Sequence, residues 1–248
     1  MPKLQRYQQK IRKYKERLKR LITRIGISYS EEFDLKDEKL EKLILPCHLG
    51  FLFFGDFDTD FFHKIKHNIN QVYDSFFFSI RNLGNHNFSF EIFSKGVKKE
   101  YKEMKKSADR IKIHPTNKFY QILIDKRIEE KLGMIIAITD LPIYSSSNDN
   151  LLFLFGETHL THRCSVVSSL KLKEQFYGRI NNQDLFEERV IKEVIHEIGH
   201  IIIDSAHCLN NLCVMRFSKG INDIDSKSLD FCSKCKLKLT QIRTEYNF

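Results

Sequence analysis

The feature that most restricts the fold of this chain is a helical segment that carries His196, Glu197 and His200. Two histidines four positions apart stand on one face of a helix, with their Cβ atoms about 5–6 Å apart. Both imidazoles can then bind one zinc ion at the usual Zn–N distance of about 2.0–2.1 Å. Glu197 lies beside the open coordination position, where it can take a proton from a water molecule. The pattern therefore predicts a zinc site with Glu197 as general base.

Apolar residues at helical spacing surround this motif and predict that one face of the helix is buried. Asp184 and Glu187 stand three positions apart at the start of the run, which is a capping-box pattern with aspartate in place of serine or threonine. We therefore expect the helix to begin near Asp184. The apolar positions are Leu185, Val190, Ile191, Val194, Ile195, Ile198 and Ile202.

A second pair of histidines, His63 and His67, has the same four-residue spacing. No glutamate directly follows the first of them, and no cysteine cluster accompanies the pair. A metal role for the pair stays open, but a solvated helix face is the simpler interpretation.

Four of the six cysteines lie near the end of the sequence, in the order C-x4-C, a gap, and C-x2-C. In a reducing compartment this pattern favours a metal over disulfide bonds. The spacing is typical of a zinc site with four thiolate ligands. The four residues are Cys208, Cys213, Cys232 and Cys235.

The positive charge of the chain is concentrated in residues 1–25, which hold ten basic side chains and one acidic side chain. Ten positive charges and one negative charge give this segment a net charge of +9. The formal net charge of the whole chain is also +9, so the remaining residues are neutral overall. Apolar residues recur in this segment at alternating steps of three and four, which predicts a basic amphipathic helix. Such a helix can pack on the domain, form a coiled coil, or contact nucleic acid or an anionic membrane surface.

Alternating strand and helix patterns over the remainder predict an α/β fold. Strands are expected over 51–57, 76–80, 88–93, 133–144, 151–160 and 164–172. Helices are expected after a cap at Asp58 and over 115–132 with a cap near Thr116, and a short helix is expected within 29–45. The segment 97–106 is interpreted as a surface helix or loop. No apolar run is long enough for a membrane span and no secretory signal is visible, so the expected location is the cytoplasm.

The combined histidine and cysteine pattern resembles the archaemetzincins, which are zinc metallopeptidases of the metzincin clan. The resemblance rests on the run from His196 to His200, on His207 directly before Cys208, on Met215, and on the later cysteine pair. It extends upstream through "ITDLPIY" (138–144), "LFLFGE" (152–157) and "SVVSSLKL" (165–172), and covers residues 133–239.

The resemblance implies a metzincin-like α/β (α+β) fold in three parts. Residues 1–45 would form the basic extension and linker, residues 46–203 an upper mixed-sheet subdomain with the active-site helix, and residues 204–248 a small lower subdomain. It also implies two zinc ions, and a peptide or protein substrate lying along an edge strand near 151–160. The catalytic zinc would be held by His196, His200 and His207 above Met215, and the structural zinc by Cys208, Cys213, Cys232 and Cys235.

One irregularity separates this chain from the family pattern H-x-x-G-x-x-H-C. The segment from His200 to His207 is one residue longer and lacks the glycine that ends the helix. Ile203 is β-branched and unsuited to a left-handed turn, whereas Asp204 tolerates it at a cost of roughly 1 kcal/mol. We expect a turn at Asp204–Ser205 and His207 as third ligand. Asp204 as the ligand and a damaged two-histidine site are the alternatives.

A different class of function is a catalytically silent, zinc-stabilised binding protein that uses its basic helix to bind a polyanion or a partner. Glu197 argues against this hypothesis, because a purely structural metal site has no need of a base. The sequence predicts hydrolysis of peptide bonds and leaves aminopeptidase and endopeptidase action both open.

Overall fold

The computed structural model describes residues 27–28, 43–86, 99–101, 111–147, 152–203 and 207–248. The basic helix predicted for 1–25, the strand predicted for 88–93 and the turn predicted at Asp204–Ser205 lie outside these residues, as does most of the predicted linker helix. Within 97–106, interpreted above as helix or loop, Lys99–Tyr101 form a short strand instead.

The main sheet has six strands and is mixed, as predicted. Its order is β1–β9–β10–β6–β2–β3, and a smaller sheet has the order β4–β5–β7–β8. In the main sheet β9 is antiparallel to β10, whereas all other neighbours pair in parallel. The strands are β1 (Ile27–Ser28), β2 (Cys47–Phe54), β3 (Phe77–Asn85), β4 (Lys99–Tyr101), β5 (Ile111–Pro115), β6 (Met134–Thr139), β7 (Ile143–Tyr144), β8 (Leu152–Leu154), β9 (Gly156–His159) and β10 (Cys164–Ser168).

Strand β6 lies at the centre of the sheet and is buried along its whole length. A continuous apolar run is typical of a parallel strand that is covered on both faces. Met134, Ile136 and Ile138 face the larger core, while Ile135 and Ala137 face the smaller one. The alternation shows that helices cover both sides of the sheet.

Three of the predicted strands are interrupted in the structure. The run 133–144 ends at Thr139 and resumes as β7 in the smaller sheet, because Pro142 has no N–H group to donate to a continuous ladder. The run 151–160 divides at Phe155 into β8 and β9, which belong to different sheets. The run 164–172 ends at Ser168 and continues as short 3-10 turns over Leu170–Leu172 and Glu174–Tyr177.

The helices of the described residues lie on the two faces of the main sheet. None of them is long and apolar enough to cross a membrane. Their bounds are α1 (Thr59–Val72), α2 (Asn117–Glu129), α3 (Gln183–Ile203), α4 (Ile221–Ser226) and α5 (Ser233–Tyr246). Helix α2 packs on one face, and the other helices contribute to the larger core on the opposite face.

Asp58 caps α1 as predicted, since its Oδ1 atom accepts a hydrogen bond of 2.6 Å from the amide of Phe61. Thr116 is the N-cap residue of α2, as predicted, but its side chain makes no cap hydrogen bond. The amide of Asn117 donates instead to Ser146 Oγ at 2.8 Å, so a side chain distant in sequence supplies the cap.

Helix α3 begins at Gln183, one residue before the predicted start near Asp184. The capping residue differs from the prediction, since the Oδ1 atom of Asn182 accepts from the amide of Leu185 at 3.0 Å. Asn182 is as good a cap as aspartate, and it reaches the third amide of the helix in the usual way. Asp184 therefore lies inside the first turn, where its negative charge favours the positive end of the helix dipole.

Buried ion pairs join α3 to the segment around α4. The Arg189 side chain is 1% exposed, and its nitrogen atoms lie 2.6 Å from oxygens of both Glu174 and Asp225. Lys227 and Glu193 form a second pair at 2.8 Å, with side chains that are 0% and 4% exposed. Because each buried charge has a partner, α3 and this segment are held in one relative position.

We predict that Arg189→Ala lowers the free energy of unfolding by about 3 kcal/mol, because it removes the buried guanidinium that pairs with both Glu174 and Asp225. The matched control is Lys64→Ala, which removes a pair with Glu187 whose lysine side chain is 53% exposed. We expect the control to cost less than about 1 kcal/mol. Urea unfolding at fixed zinc concentration measures both, and equal losses for the two variants would contradict the prediction.

Candidate active site

The structure brings the three predicted histidine ligands together. His196 and His200 are buried on α3, with their Nε2 atoms 3.0 Å apart, and His207 Nε2 lies 3.2 Å from His196 Nε2. Two nitrogens bound to one tetrahedral zinc ion at the usual distance are about 3.3 Å apart. The donor set and its spacing therefore fit a zinc ion.

A hydrogen bond fixes the orientation of the His196 ring. Its Nδ1 atom lies 2.8 Å from the carbonyl oxygen of Val214. A carbonyl only accepts, so Nδ1 carries the proton and donates, which leaves the lone pair of Nε2 directed toward the other two histidines. Sequence reasoning missed Val214, because a backbone acceptor leaves no signature in the sequence.

The surroundings of all three imidazoles favour the neutral form. Burial lowers the pKa of His196 and of His200 well below the usual value, and lowers the pKa of His207 to about 4. Like-charge interaction with Lys227 acts in the same direction at each ring. A histidine must be neutral to bind a metal, so the folded chain holds the three rings in the required form.

His207 reaches the site despite the longer segment that precedes it. The amide of Cys208 donates to the carbonyl of Met215 at 2.9 Å, which fixes the backbone directly after the histidine. The rings of His207 and Phe217 pack edge to face, with their centroids 5.0 Å apart. The structure places the His207 ring against both helical histidines.

Glu197 is 2% exposed and faces strand β9. Its Oε2 atom accepts a hydrogen bond of 2.5 Å from Thr158 Oγ1. Burial raises the pKa of Glu197 well above its usual value, and the hydrogen bond from Thr158 acts against that rise. A Cβ atom at Gly156 would overlap the Glu197 carboxylate, so only glycine leaves room for it. The glycine inside a predicted strand was a signal of close approach that the sequence analysis did not use.

Met215 packs against α3, and its role as an apolar floor beneath the zinc stays a prediction. It is 2% exposed, and its Sδ atom fills the space where a Cβ atom of Gly199 would stand. Gly199 directly precedes His200, so the packing of Met215 against Gly199 fixes how closely this part of α3 approaches the segment that carries Met215. A glycine in the middle of a helix costs about 1 kcal/mol relative to alanine. Its presence inside the predicted helix was therefore a sign that another side chain approaches the backbone there.

The four C-terminal cysteines form a second cluster. Their Sγ atoms all lie within 4.8 Å of one another, and Cys208 Sγ and Cys232 Sγ are 3.6 Å apart. Two sulfurs on one tetrahedral zinc ion are about 3.8 Å apart, whereas a disulfide requires about 2.05 Å. The spacing fits a zinc ion. Cys232 is the N-cap residue of α5, and Cys235 lies in its first turn.

Backbone amides support the thiols of this cluster. The amide of Cys232 donates to Cys213 Sγ at 3.3 Å, and the amide of Asn210 donates to Cys208 Sγ at 3.4 Å. Burial raises the pKa of Cys213 to about 11. At Cys232 burial also acts to raise the pKa, but hydrogen bonds from the Cys235 amide and the neighbouring thiols outweigh it and bring the pKa to about 7. Metal binding would displace the remaining thiol protons.

His63 and His67 are both exposed and line a groove of about 410 Å³ beside α3, together with Asp184, Glu187 and Leu229. Among the described residues, only the histidine and cysteine clusters bring three or more potential metal ligands together. The exposure of His63 and His67 agrees with their interpretation as part of a solvated helix face.

A family model described as peptidase family M54 matches residues 82–241, which is more than half of the chain. The chain belongs to this family. The archaemetzincin of Methanocaldococcus jannaschii is 40% identical over 121 residues, which cover 49% of this chain and 65% of that protein. The archaemetzincin of Sulfolobus acidocaldarius is 45% identical over 92 residues, covering 37% and 50%. The chain thus matches half to about two thirds of the length of these relatives, and the resemblance to archaemetzincins is confirmed.

Two solved structures share the fold. The archaemetzincin of Methanopyrus kandleri superposes with a TM-score of 0.59 at 19% identity, over 79% of this chain and 95% of that one. The archaemetzincin of Archaeoglobus fulgidus, solved with malonate, gives a TM-score of 0.52 at 24% identity, over 77% and 99%. The mixed-sheet metzincin-like fold that the sequence predicted is thereby confirmed.

We predict that Gly199→Ala weakens zinc binding and lowers stability by about 1–2 kcal/mol. Overlap of the new methyl group with Met215 costs about 1–3 kcal/mol and exceeds the gain in helix propensity. Gly220→Ala is the control, because a Cβ atom there meets no atom within 4 Å. Thermal unfolding and zinc titration measure both variants, and wild-type zinc affinity in Gly199→Ala would contradict the prediction.

Proposed function

We propose that the chain is a zinc-dependent metallopeptidase that hydrolyses peptide bonds in peptide or protein substrates. His196, His200 and His207 would hold the catalytic zinc, and Glu197 would act as general base. The observation that carries the proposal is the convergence of three imidazoles, with the buried Glu197 directly after His196 on the same helix. A zinc ion there would polarise the scissile carbonyl and lower the pKa of a water molecule to about 7.

The environment of Glu197 suits a base that must also return its proton. The carboxylate takes a proton from the attacking water and later donates it to the leaving amine. Burial raises its pKa, so the protonated form is accessible between the two steps. The catalytically silent binding protein is the weaker hypothesis, because a structural site would not need this carboxylate.

We further propose that Cys208, Cys213, Cys232 and Cys235 hold a second, structural zinc ion, which gives two ions per chain. Structural zinc sites contribute about 10–16 kcal/mol of apparent binding free energy to folding. Cys208 directly follows His207, so this ion would also hold the third catalytic ligand from its far side. Free thiols persist in reducing compartments, which supports the cytoplasm as the location.

The edge of β9 near Gly156 is where we propose that an extended substrate lies. Main-chain pairing with an exposed strand is a common way of binding peptides. Ile27 and Ser28 pair in parallel with Thr158 and His159, so the chain itself takes up the far end of this edge. Contacts of residues 1–25 with nucleic acid, an anionic surface or a coiled-coil partner remain a separate hypothesis.

We predict that purified protein carries two zinc ions and that His207→Ala loses one of them while keeping the other. The histidine site has an open position and should yield first to a mild chelator. Asp204→Ala is the matched control, and it should retain both ions if Asp204 is not a ligand. Elemental analysis of the three proteins tests this prediction. One zinc per wild-type chain, or greater loss in Asp204→Ala, would contradict it.

We predict that Glu197→Gln keeps both metals and lowers peptide hydrolysis by at least about 100-fold, because it removes the base and no ligand. Digestion of a broad peptide library, analysed by mass spectrometry, measures the loss and separates terminal trimming from internal cleavage. Wild-type turnover in the variant would show that Glu197 is not the base. A wild-type protein that binds zinc and cleaves nothing would favour the binding-protein hypothesis.

A further inference from the structure

Two hydroxyl groups beside Glu197 have no part in the proposed function so far. Thr158 on β9 and Ser165 on β10 are both 0% exposed, and they are direct neighbours in the register of the two antiparallel strands. Their Oγ atoms are 2.7 Å apart. Thr158 Oγ1 also lies 2.5 Å from Glu197 Oε2 and 3.3 Å from the Glu197 carbonyl oxygen. A short chain of hydroxyls thus runs from the sheet to the carboxylate.

The direction of these hydrogen bonds follows from counting protons. An ionised carboxylate can only accept, and each hydroxyl has one proton to donate. Thr158 must therefore donate to Glu197, and its own oxygen must accept the proton of Ser165. Threonine is restricted at χ1 by its β-branch, and the backbone of Thr158 is paired with β10. The position of the donor is consequently fixed by the sheet.

The two oxygens of Glu197 have different surroundings. Gly156 and Thr158 are two positions apart on β9, so they face the same side of the sheet. Thr158 binds Oε2, whereas the space over Gly156 is occupied by Oε1. Among the described residues, the one side-chain hydrogen bond to this carboxylate comes from Thr158 and reaches Oε2. One oxygen is therefore anchored, and the other lies over Gly156.

We propose that Thr158 is a positioning residue for the general base. It holds Glu197 by Oε2 in one rotamer, with Gly156 providing the room for Oε1 to face the attacking water. The inference rests on the proposed function, in which Glu197 takes the proton of that water. Ser165 directs the Thr158 hydroxyl and acts one step further from the carboxylate.

Three variants separate this role from a structural one. Thr158→Val keeps the shape of the side chain and removes the donor, while Thr158→Ser keeps the donor. Ser168→Ala is the matched control, because it removes a buried hydroxyl on β10 that donates to the Leu141 carbonyl at 2.7 Å. Thr158→Ala is the substitute if the valine variant does not fold. Each is examined by crystallography for the Glu197 side-chain conformation, by elemental analysis for zinc, and by steady-state kinetics for kcat and KM.

We expect Thr158→Val to release Glu197 from its single rotamer and to lower kcat by about 10–100-fold, the usual effect of losing a supporting hydrogen bond. Zinc content and KM should stay within about twofold of the wild type. Thr158→Ser should restore the rotamer and most of kcat, and Ser168→Ala should lose no more than about threefold in kcat.

The readouts distinguish failure of this inference from failure of the proposed function. An unchanged Glu197 rotamer in Thr158→Val, or unchanged kcat in an active enzyme, would overturn the positioning role. Equal losses in the valine and serine variants would do the same, since the hydroxyl would then not matter. If the wild type cleaves no peptide, the proposed function fails, and the Glu197 rotamer still decides whether Thr158 positions it.

Discussion

The burial of helix α3 is the constraint on which the rest of the structure depends. From Val190 to His200 every residue of this helix is buried, against the main sheet on one side and the C-terminal segment on another. A helix that is enclosed in this way must find a partner for each polar group that it carries. Arg189, Lys192 and Glu193 therefore lie in ion pairs. Glu197 accepts a hydrogen bond from Thr158, and the histidines face one another. The same burial lowers the pKa of the three histidines of the candidate site.

The parts of the site that the sequence predicted are those set by the geometry of one element. Spacing of four places His196 and His200 on one helix face, and spacing of C-x2-C places two thiols in the first turn of another helix. These relations hold wherever the elements pack, so they can be found from the sequence alone. The alternation of strands and helices indicated the fold class for the same reason.

The parts that the sequence did not predict depend on contacts between elements. Ser146 caps α2 from a different segment, and Thr158 reaches Glu197 from a neighbouring strand. Asn182 and Asp184 are both good caps, so local propensity does not choose between them, and the structure has Asn182 as the cap. Gly156 and Gly199 lie at positions where another side chain approaches the backbone, and each appears in the sequence only as an unexplained glycine.

The extra residue before His207 can be tolerated because the ring is held from beyond the insertion. The amide of Cys208 donates a hydrogen bond to the carbonyl of Met215, and the carbonyl of the neighbouring Val214 accepts one from the His196 ring. The backbone that follows His207 is thereby connected to α3. The family spacing concerns the residues between the end of α3 and His207, whereas these contacts fix the backbone directly after His207. The position of His207 is therefore set by the backbone that follows it, through the hydrogen bond from Cys208 to Met215, and the number of residues between His207 and α3 matters less.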